Sequence, residues 1–185
     1  MKKIRSFIAL NLDDEVKKKI CIICKKFENL KGLKLVEYEN LHITLKFLGD
    51  IDLGQQHEII SALENACKNI DEITIKVNKM GAFPNLHNPR IVWLGIEPNS
   101  KINKLHENIE NNLYNIGFER DGKRFHPHIT IGRNKTNHNN RLIYKKIVDT
   151  EDFEILSVIT KVSFMKSTLT SRGPVYNIIK DIKLT

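Results

Sequence analysis

Two short segments of this chain each place a histidine two residues before a threonine: Leu41-His42-Ile43-Thr44-Leu45-Lys46-Phe47 and Phe125-His126-Pro127-His128-Ile129-Thr130-Ile131. Apolar and polar residues alternate in both, which is the period of a strand with one buried face. On that period Leu41, Ile43, Leu45 and Phe47 point into a core, and His42, Thr44 and Lys46 point away from it. In the second segment Ile129 and Ile131 go inward, and His128 and Thr130 share the polar face. Each strand then presents an imidazole beside a hydroxyl. Two such strands across a groove suit displacement at phosphorus. Hydrolysis of a cyclic phosphodiester needs a base to take a proton from water, an acid to protonate the departing ribose oxygen, and donors for the non-bridging oxygens. Histidine serves as acid or base near neutral pH. Threonine hydroxyls donate to phosphate oxygens as charge shifts in the transition state. Ring strain already activates such a substrate, so no metal is obligatory.

The same residues admit two other readings. H-x-T is short enough to recur by chance, and a His-Thr pair on a half-buried strand is commonly surface or packing. His126-Pro127-His128 is also an H-x-H, a familiar ligand spacing, with His42 as a third imidazole. No acidic residue or Cys beside it completes that set, and the scheme leaves Thr44 and Thr130 idle.

The elements that carry these strands are readable in outline. Ile4 to Leu10 is strand-like. Asp13 is placed to cap a helix with Val16, Ile20, Ile23, Phe27 and Leu30 on one face, and Gly32 supplies its stop. Leu35 to Tyr38 is a short extended piece, and Leu41 to Leu48 is a strand. A second helix runs from Leu53 to Cys67 with Ile59, Ile60, Leu63 and Cys67 inward. Ile73 to Met80 alternates again. Phe83 to Pro89 reads as a loop with two prolines, and Arg90 to Ile96, with Trp93, as a core strand. Ser100 is placed to cap a third helix that Gly117 ends. Phe125 to Arg133 holds a strand, Asn134 to Asn140 a polar loop. Phe153 to Lys166 and Val175 to Ile182 read as extended, parted by the turn Ser171-Arg172-Gly173-Pro174. The mixture is α+β, or a mixed α/β sheet. Strand, helix and H-x-T strand recur in each half, and no linker divides residues 1–185.

Composition narrows the classes. With 41% hydrophobic residues the chain can build a sizeable core. No apolar run approaches the roughly 20 residues that span a bilayer, and the N-terminal stretch lacks a cleavage site, so a cytoplasmic protein is the simplest reading. Three cysteines argue against a disulfide framework, and Cys21-x-x-Cys24 sits in a helical pattern without a second pair to finish a zinc site. A net charge of +8 favours a polyanionic partner.

Taken in order, these segments resemble the 2H phosphoesterase family, named for two motifs of the form H-x-T-x, and within it the LigT- or ThpR-like RNA 2',3'-cyclic phosphodiesterases. The resemblance rests on Arg5-Ser6-Phe7-Ile8-Ala9, Asn40 to Gly49, Phe83-Pro84, Pro89 to Gly95, Phe125 to Arg133, and Gly173-Pro174-Val175-Tyr176. It implies one bilobal domain over 1–185 with pseudo-twofold symmetry, two mostly antiparallel sheets around a central groove with helices outside, and one H-x-T-x motif from each lobe. It implies His42 as proton donor, His128 as proton acceptor, Thr44 and Thr130 on the phosphate, and a 2'-phosphomonoester product without cofactor or metal. Some relatives also join tRNA halves through a 2',5' linkage. Arg133 is a candidate phosphate clamp, Lys46 a candidate groove residue, and Phe7, Phe125 and Tyr176 are candidates for stacking a terminal base. The expected partner is RNA with a 2',3'-cyclic phosphate end, such as a tRNA half, met by a monomer. Whether a nucleotide such as ATP or GTP binds is open, and so are two alternatives: 2',5' RNA ligation and a non-catalytic RNA-binding module.

Overall fold

The structure is a computed structural model that describes residues 3–136, 138–171 and 173–185. Residue 172, in the expected turn, and residue 137, in the expected polar loop, lie outside it. In chain order the elements are β1 (Lys3–Asn11), α1 (Asp14–Lys25), β2 (Leu33–Leu35), β3 (His42–Asp52), α2 (Gln56–Cys67), β4 (Ile73–Pro84), β5 (Pro89–Ile96), α3 (Ser100–Tyr114), β6 (His128–Asn134), α4 (Asn140–Val148), β7 (Ile155–Ile159), β8 (Lys161–Thr170) and β9 (Gly173–Lys183). Among the described residues no helix is long and apolar enough to cross a membrane.

The strands form one antiparallel sheet in the order β7-β4-β5-β6-β3-β1-β8-β9, with β2 added to β6. The two expected sheets are thus two halves of a single one. Their junction is a single pair, Ile43 opposite Ile129. From that pair β3 and β6 diverge, which opens a groove on one face. The other face is the core, where Ile8, Leu10, Ile43, Leu45, Leu94, Ile129 and Ile131 meet Ile20, Leu63, Leu105 and Ile109 of the helices. The groove face carries its own small cluster of Phe7, Ala9, Met165 and Tyr176.

Several boundaries differ from the expected ones for physical reasons. The Phe83–Pro89 segment is the tip of a β4–β5 hairpin, closed by Asn85 Oδ1 accepting from the backbone N–H of His87 and Asn88. The cap of α3 is Asn99, whose side chain accepts from two backbone N–H groups, one residue before the expected Ser100. Helix α4 replaces irregular chain, because it buries only Ile143 and Ile147, too few for a periodic signal. Cys21, Cys24 and Cys67 are free thiols. Burial pushes the thiols of Cys24 and Cys67 up to about 12, as expected of packing positions.

Each motif strand contains a bulge, and the two bulges correspond. In β3 the partners of β1 run Ala9 to Thr44 and then Ile8 to Lys46, skipping Leu45. In β6 the partners of β5 run Trp93 to Thr130 and then Val92 to Gly132, skipping Ile131. One extra residue reverses the facing of everything after it.

Candidate active site

The junction pair fixes the geometry of the site. Ile43 and Ile129 are wholly buried, so their neighbours His42, Thr44, His128 and Thr130 take the opposite, groove face. In an antiparallel register centred on that pair, His42 lies beside Thr130 and Thr44 beside His128. Diagonal neighbours of this kind sit about 7–8 Å apart in a regular ladder. The imidazoles are near enough that charge on His128 disfavours charge on His42.

The two histidines are held the same way. His42 Nδ1 is 2.6 Å from the Asn40 carbonyl, and His128 Nδ1 is 2.7 Å from the His126 carbonyl. A carbonyl only accepts, so each Nδ1 carries its proton and each neutral ring offers a bare Nε2. The Thr44 hydroxyl, 3.0 Å away, donates to Nε2 of His42 in that state. His126 therefore has a task that its sequence position does not reveal. Its carbonyl orients the catalytic candidate, and its ring packs on Trp93 and Phe83 at 5.0 and 5.7 Å.

Aromatic walls flank both rings. Phe7 and Tyr176 meet His42 at 5.1 and 5.3 Å and each other at 4.9 Å. Phe83 and Trp93 stand 5.1 and 6.3 Å from His128. Trp93, expected in the core, lies instead on the groove face, in register with Thr130. Gly81 and Gly95 make room for it, since a Cβ at Gly81 would come within 2.4 Å of the indole and one at Gly95 within 2.9 Å. Those two glycines are the signal in the sequence that marks it.

The bulges sort the remaining candidates. Arg133, past the bulge in β6, faces the groove with Thr130, as the partner positions Ile91 and Trp93 require. It is exposed, and its charge reaches His42, His128 and Tyr176. Lys46 does not line the groove. The bulge at Leu45 turns it to the core face, where it is 3% exposed and bonds Glu110, the Glu119 carbonyl and Asp121. Phe47 is turned the opposite way and is 67% exposed, not core. Phe125 is also absent from the groove. It precedes β6 and stacks on His106 at 3.9 Å, on the α3 side. His106 is accordingly half-buried and not a bare surface residue.

A cation-binding cluster of side chains does exist in His106, Glu110 and Asp121. The Lys46 ammonium already sits among those carboxylates, with Glu110 at 2.6 Å and Asp121 at 3.3 Å. The cluster is an ion pair with its cation built in.

Burial lowers His42 to about 4, with the Asn40 carbonyl opposing and Arg133, His128 and Lys17 adding to the fall. Burial also lowers His128, again against its carbonyl partner. Burial raises the Tyr176 phenol, against the pull of Arg133 and Arg5. The open groove at neutral pH thus holds two uncharged imidazoles beside a guanidinium, and an anion there would favour charging them. Protonation of His42 at Nε2 would also release the Thr44 hydroxyl from that nitrogen. The expected result is proton uptake on anion binding. Sulfate, whose charge is constant across the titration range of histidine, should bind more tightly as the solution is made acidic. In an NMR titration the His42 ring should then rise from about 4 towards the ordinary histidine value. A ring whose titration is indifferent to saturating sulfate would show that His42 does not face the anion.

Known proteins resemble this chain along its length. The model of the 2'-5' RNA ligase superfamily matches residues 17–169. A Methanocaldococcus jannaschii protein named RNA 2',3'-cyclic phosphodiesterase is 37% identical over 96% of this chain and 99% of its own. A Thermotoga maritima protein of the same name is 35% identical, over 95% and 92%. Among solved structures, a protein of Thermus thermophilus superposes with a TM-score of 0.84 at 22% identity, covering 98% of both chains. E. coli LigT complexed with 3'-AMP gives 0.82 at 24% identity, covering 100% of this chain and 99% of that one. At those identities the structural likeness speaks for the fold.

Proposed function

Because the chain belongs to the 2'-5' RNA ligase superfamily, the 2H phosphoesterases, we propose that its groove opens the 2',3'-cyclic phosphate at an RNA end to a 2'-phosphomonoester, with His42 as acid and His128 as base. The chain is an RNA 2',3'-cyclic phosphodiesterase by its full-length likeness to proteins of that name. The observation that carries the assignment of residues is the matched pair of Nε2 atoms, each bared by a carbonyl on Nδ1, on the same face of the junction pair.

The steps follow from the chain's own groups. The phosphate sits between the motif strands, its non-bridging oxygens taken by Thr44, Thr130 and Arg133. His128 Nε2 accepts a proton from water as the oxygen attacks phosphorus. The bond to the 3' oxygen breaks on the far side, and His42 Nε2–H delivers its proton there. Arg133 disfavours the charged imidazoles while the groove is open and attracts the anion that reverses this. Phe7 and Tyr176 are positioned to flank the terminal base. E. coli LigT has been solved with 3'-AMP, ATP and NADP+, and we extend nucleotide binding in the groove to this chain. All the groups named come from one chain, so a monomer in the cytoplasm, forming one bilobal domain, suffices.

A short oligonucleotide with a cyclic end tests the reading. It should yield a 2'-phosphate, identified by its resistance to a 3'-specific phosphatase, and the rate should survive EDTA. A 3'-phosphate product would overturn the bond assignment. Loss of activity that zinc restores would overturn the two-histidine mechanism. Joined product as the dominant outcome with tRNA halves would make the chain a ligase first.

A further inference from the structure

The two bulges deliver two different side chains to the groove from equivalent places. Arg133 and Phe47 are each the third residue after the motif threonine, and each is brought to the groove face by the skipped residue between. On one side of the junction that position carries a cation. On the other it carries an aromatic ring with 67% of its surface exposed. An exposed phenylalanine in so fixed a position is not a packing residue. Its ring lies 6.1 Å from Phe7, at an interplanar angle of 43°. Phe7 in turn lies 5.1 Å from His42. The rings therefore form a track that starts at the acid imidazole, passes the Phe7–Tyr176 pair and ends at Phe47 in solvent.

We propose that Phe47 is the platform of a second base subsite, which stacks the nucleotide on the 5' side of the one bearing the cyclic phosphate. The inference rests on the phosphodiesterase reading of the groove and extends it to the substrate class: the enzyme acts on oligonucleotide ends in preference to mononucleotide cyclic phosphates. The occupant is single-stranded RNA because the track joins exposed aromatic faces to the cationic groove of a chain with net charge +8. Unpaired bases stack on such faces with little regard to sequence. A protein ligand would have no use for the anion site beside Arg133, whereas a nucleotide chain supplies base and phosphate together.

The test compares kcat/KM for a nucleoside 2',3'-cyclic monophosphate and for a trinucleotide with a cyclic end. In the wild type the trinucleotide should be favoured. In Phe47→Ala the ratio of the two values should fall by roughly 5- to 150-fold, the loss expected for one stacked base. Phe47→Leu keeps an apolar side chain without a π-face and should fall similarly, while Phe47→Trp should keep the ratio. A ratio that stays at the wild-type value in Phe47→Ala, or that Leu preserves as well as Trp, overturns the subsite. Failure of the wild type to hydrolyse either substrate would instead overturn the phosphodiesterase reading itself.

Discussion

Replacing His42 or His128 by alanine should lower turnover of a cyclic-ended oligonucleotide by about 100- to 10,000-fold, the worth of a positioned acid or base. The more telling result is the pH dependence of what remains. The wild-type kcat profile should be bell-shaped, because one imidazole must be charged while the other is neutral. In the His128 variant only the acid is left, so the residual rate should fall as pH rises through the titration of His42. In the His42 variant only the base is left, and the residual rate should climb with pH through the titration of His128. For kcat/KM, which reports the free enzyme, the limbs should lie below 6.5, because burial lowers both rings. The double variant should lose less than the product of the single losses, since one vacancy already ends the concerted transfer. Opposite slopes in the two variants would exchange donor and acceptor. Near-wild-type rates in both would remove the histidines from the mechanism.

The four motif residues are legible in the sequence because their chemistry depends on a two-residue repeat alone. His42 and Thr44, and His128 and Thr130, stay on one face whatever follows them. The face of Lys46 and Phe47 depends on a backbone irregularity that strict alternation cannot represent. Continuing the period through Leu45 puts Lys46 in the groove and Phe47 in the core, and the bulge exchanges them. The same device puts Arg133 into the groove, where alternation would turn it inward. Trp93 is misplaced for a related reason: a strand with Val92 and Leu94 buried reads as wholly core unless Gly81 and Gly95 are seen as space for an indole. Proximity to the motif suggests Phe125, yet β6 begins only at His128, and the irregular approach gives its ring to His106. The helices of the core are legible because Ile20, Leu63, Leu105 and Ile109 recur at helical spacing. The joining of two halves at one residue pair is not, because nothing local encodes which strands meet across a sheet.

Removing Glu110 should unfold the protein sooner than removing any surface charge. Lys46 has three ammonium protons and three acceptors: Glu110 Oε1, the Glu119 carbonyl and Asp121 Oδ1. Its side chain is 2% exposed and that of Glu110 10%, while Asp121 is 52% exposed. Glu110 is therefore the one buried counter-charge, and its other oxygen accepts the Asp121 backbone N–H at 3.0 Å. Alanine at 110 leaves an ammonium in the core with a solvated partner, a defect of about 3–5 kcal/mol. The double replacement Lys46→Met with Glu110→Leu removes both charges and should return most of that loss, because the buried pair had to offset its own desolvation. Lys46→Met alone should behave differently with pH. His106, 3.9 Å from Glu110, is lowered by burial and by the Lys46 charge, against the pull of Glu110 and Asp121. Without the ammonium its folded titration rises, so its charged form can replace the missing cation at low pH. That stabilisation is present below the unfolded histidine value near 6.5 and is lost as pH rises through the higher folded one. Denaturant unfolding at about pH 5.5 and about pH 8, on either side of that value, reads this directly: Lys46→Met should recover part of its deficit at the lower pH, and Glu110→Ala should not. Equal deficits at both pH values would show that His106 does not sense the pair. A wild-type-like midpoint for Glu110→Ala would show that the ammonium reaches water. Because the pair lies on the core face, behind the sheet from His42, the kcat limbs of folded Glu110→Ala should stay where the wild type has them. The buried ion pair holds the bulged strand to α3 and to the segment leading into the second motif, and the chemistry proceeds on the other side.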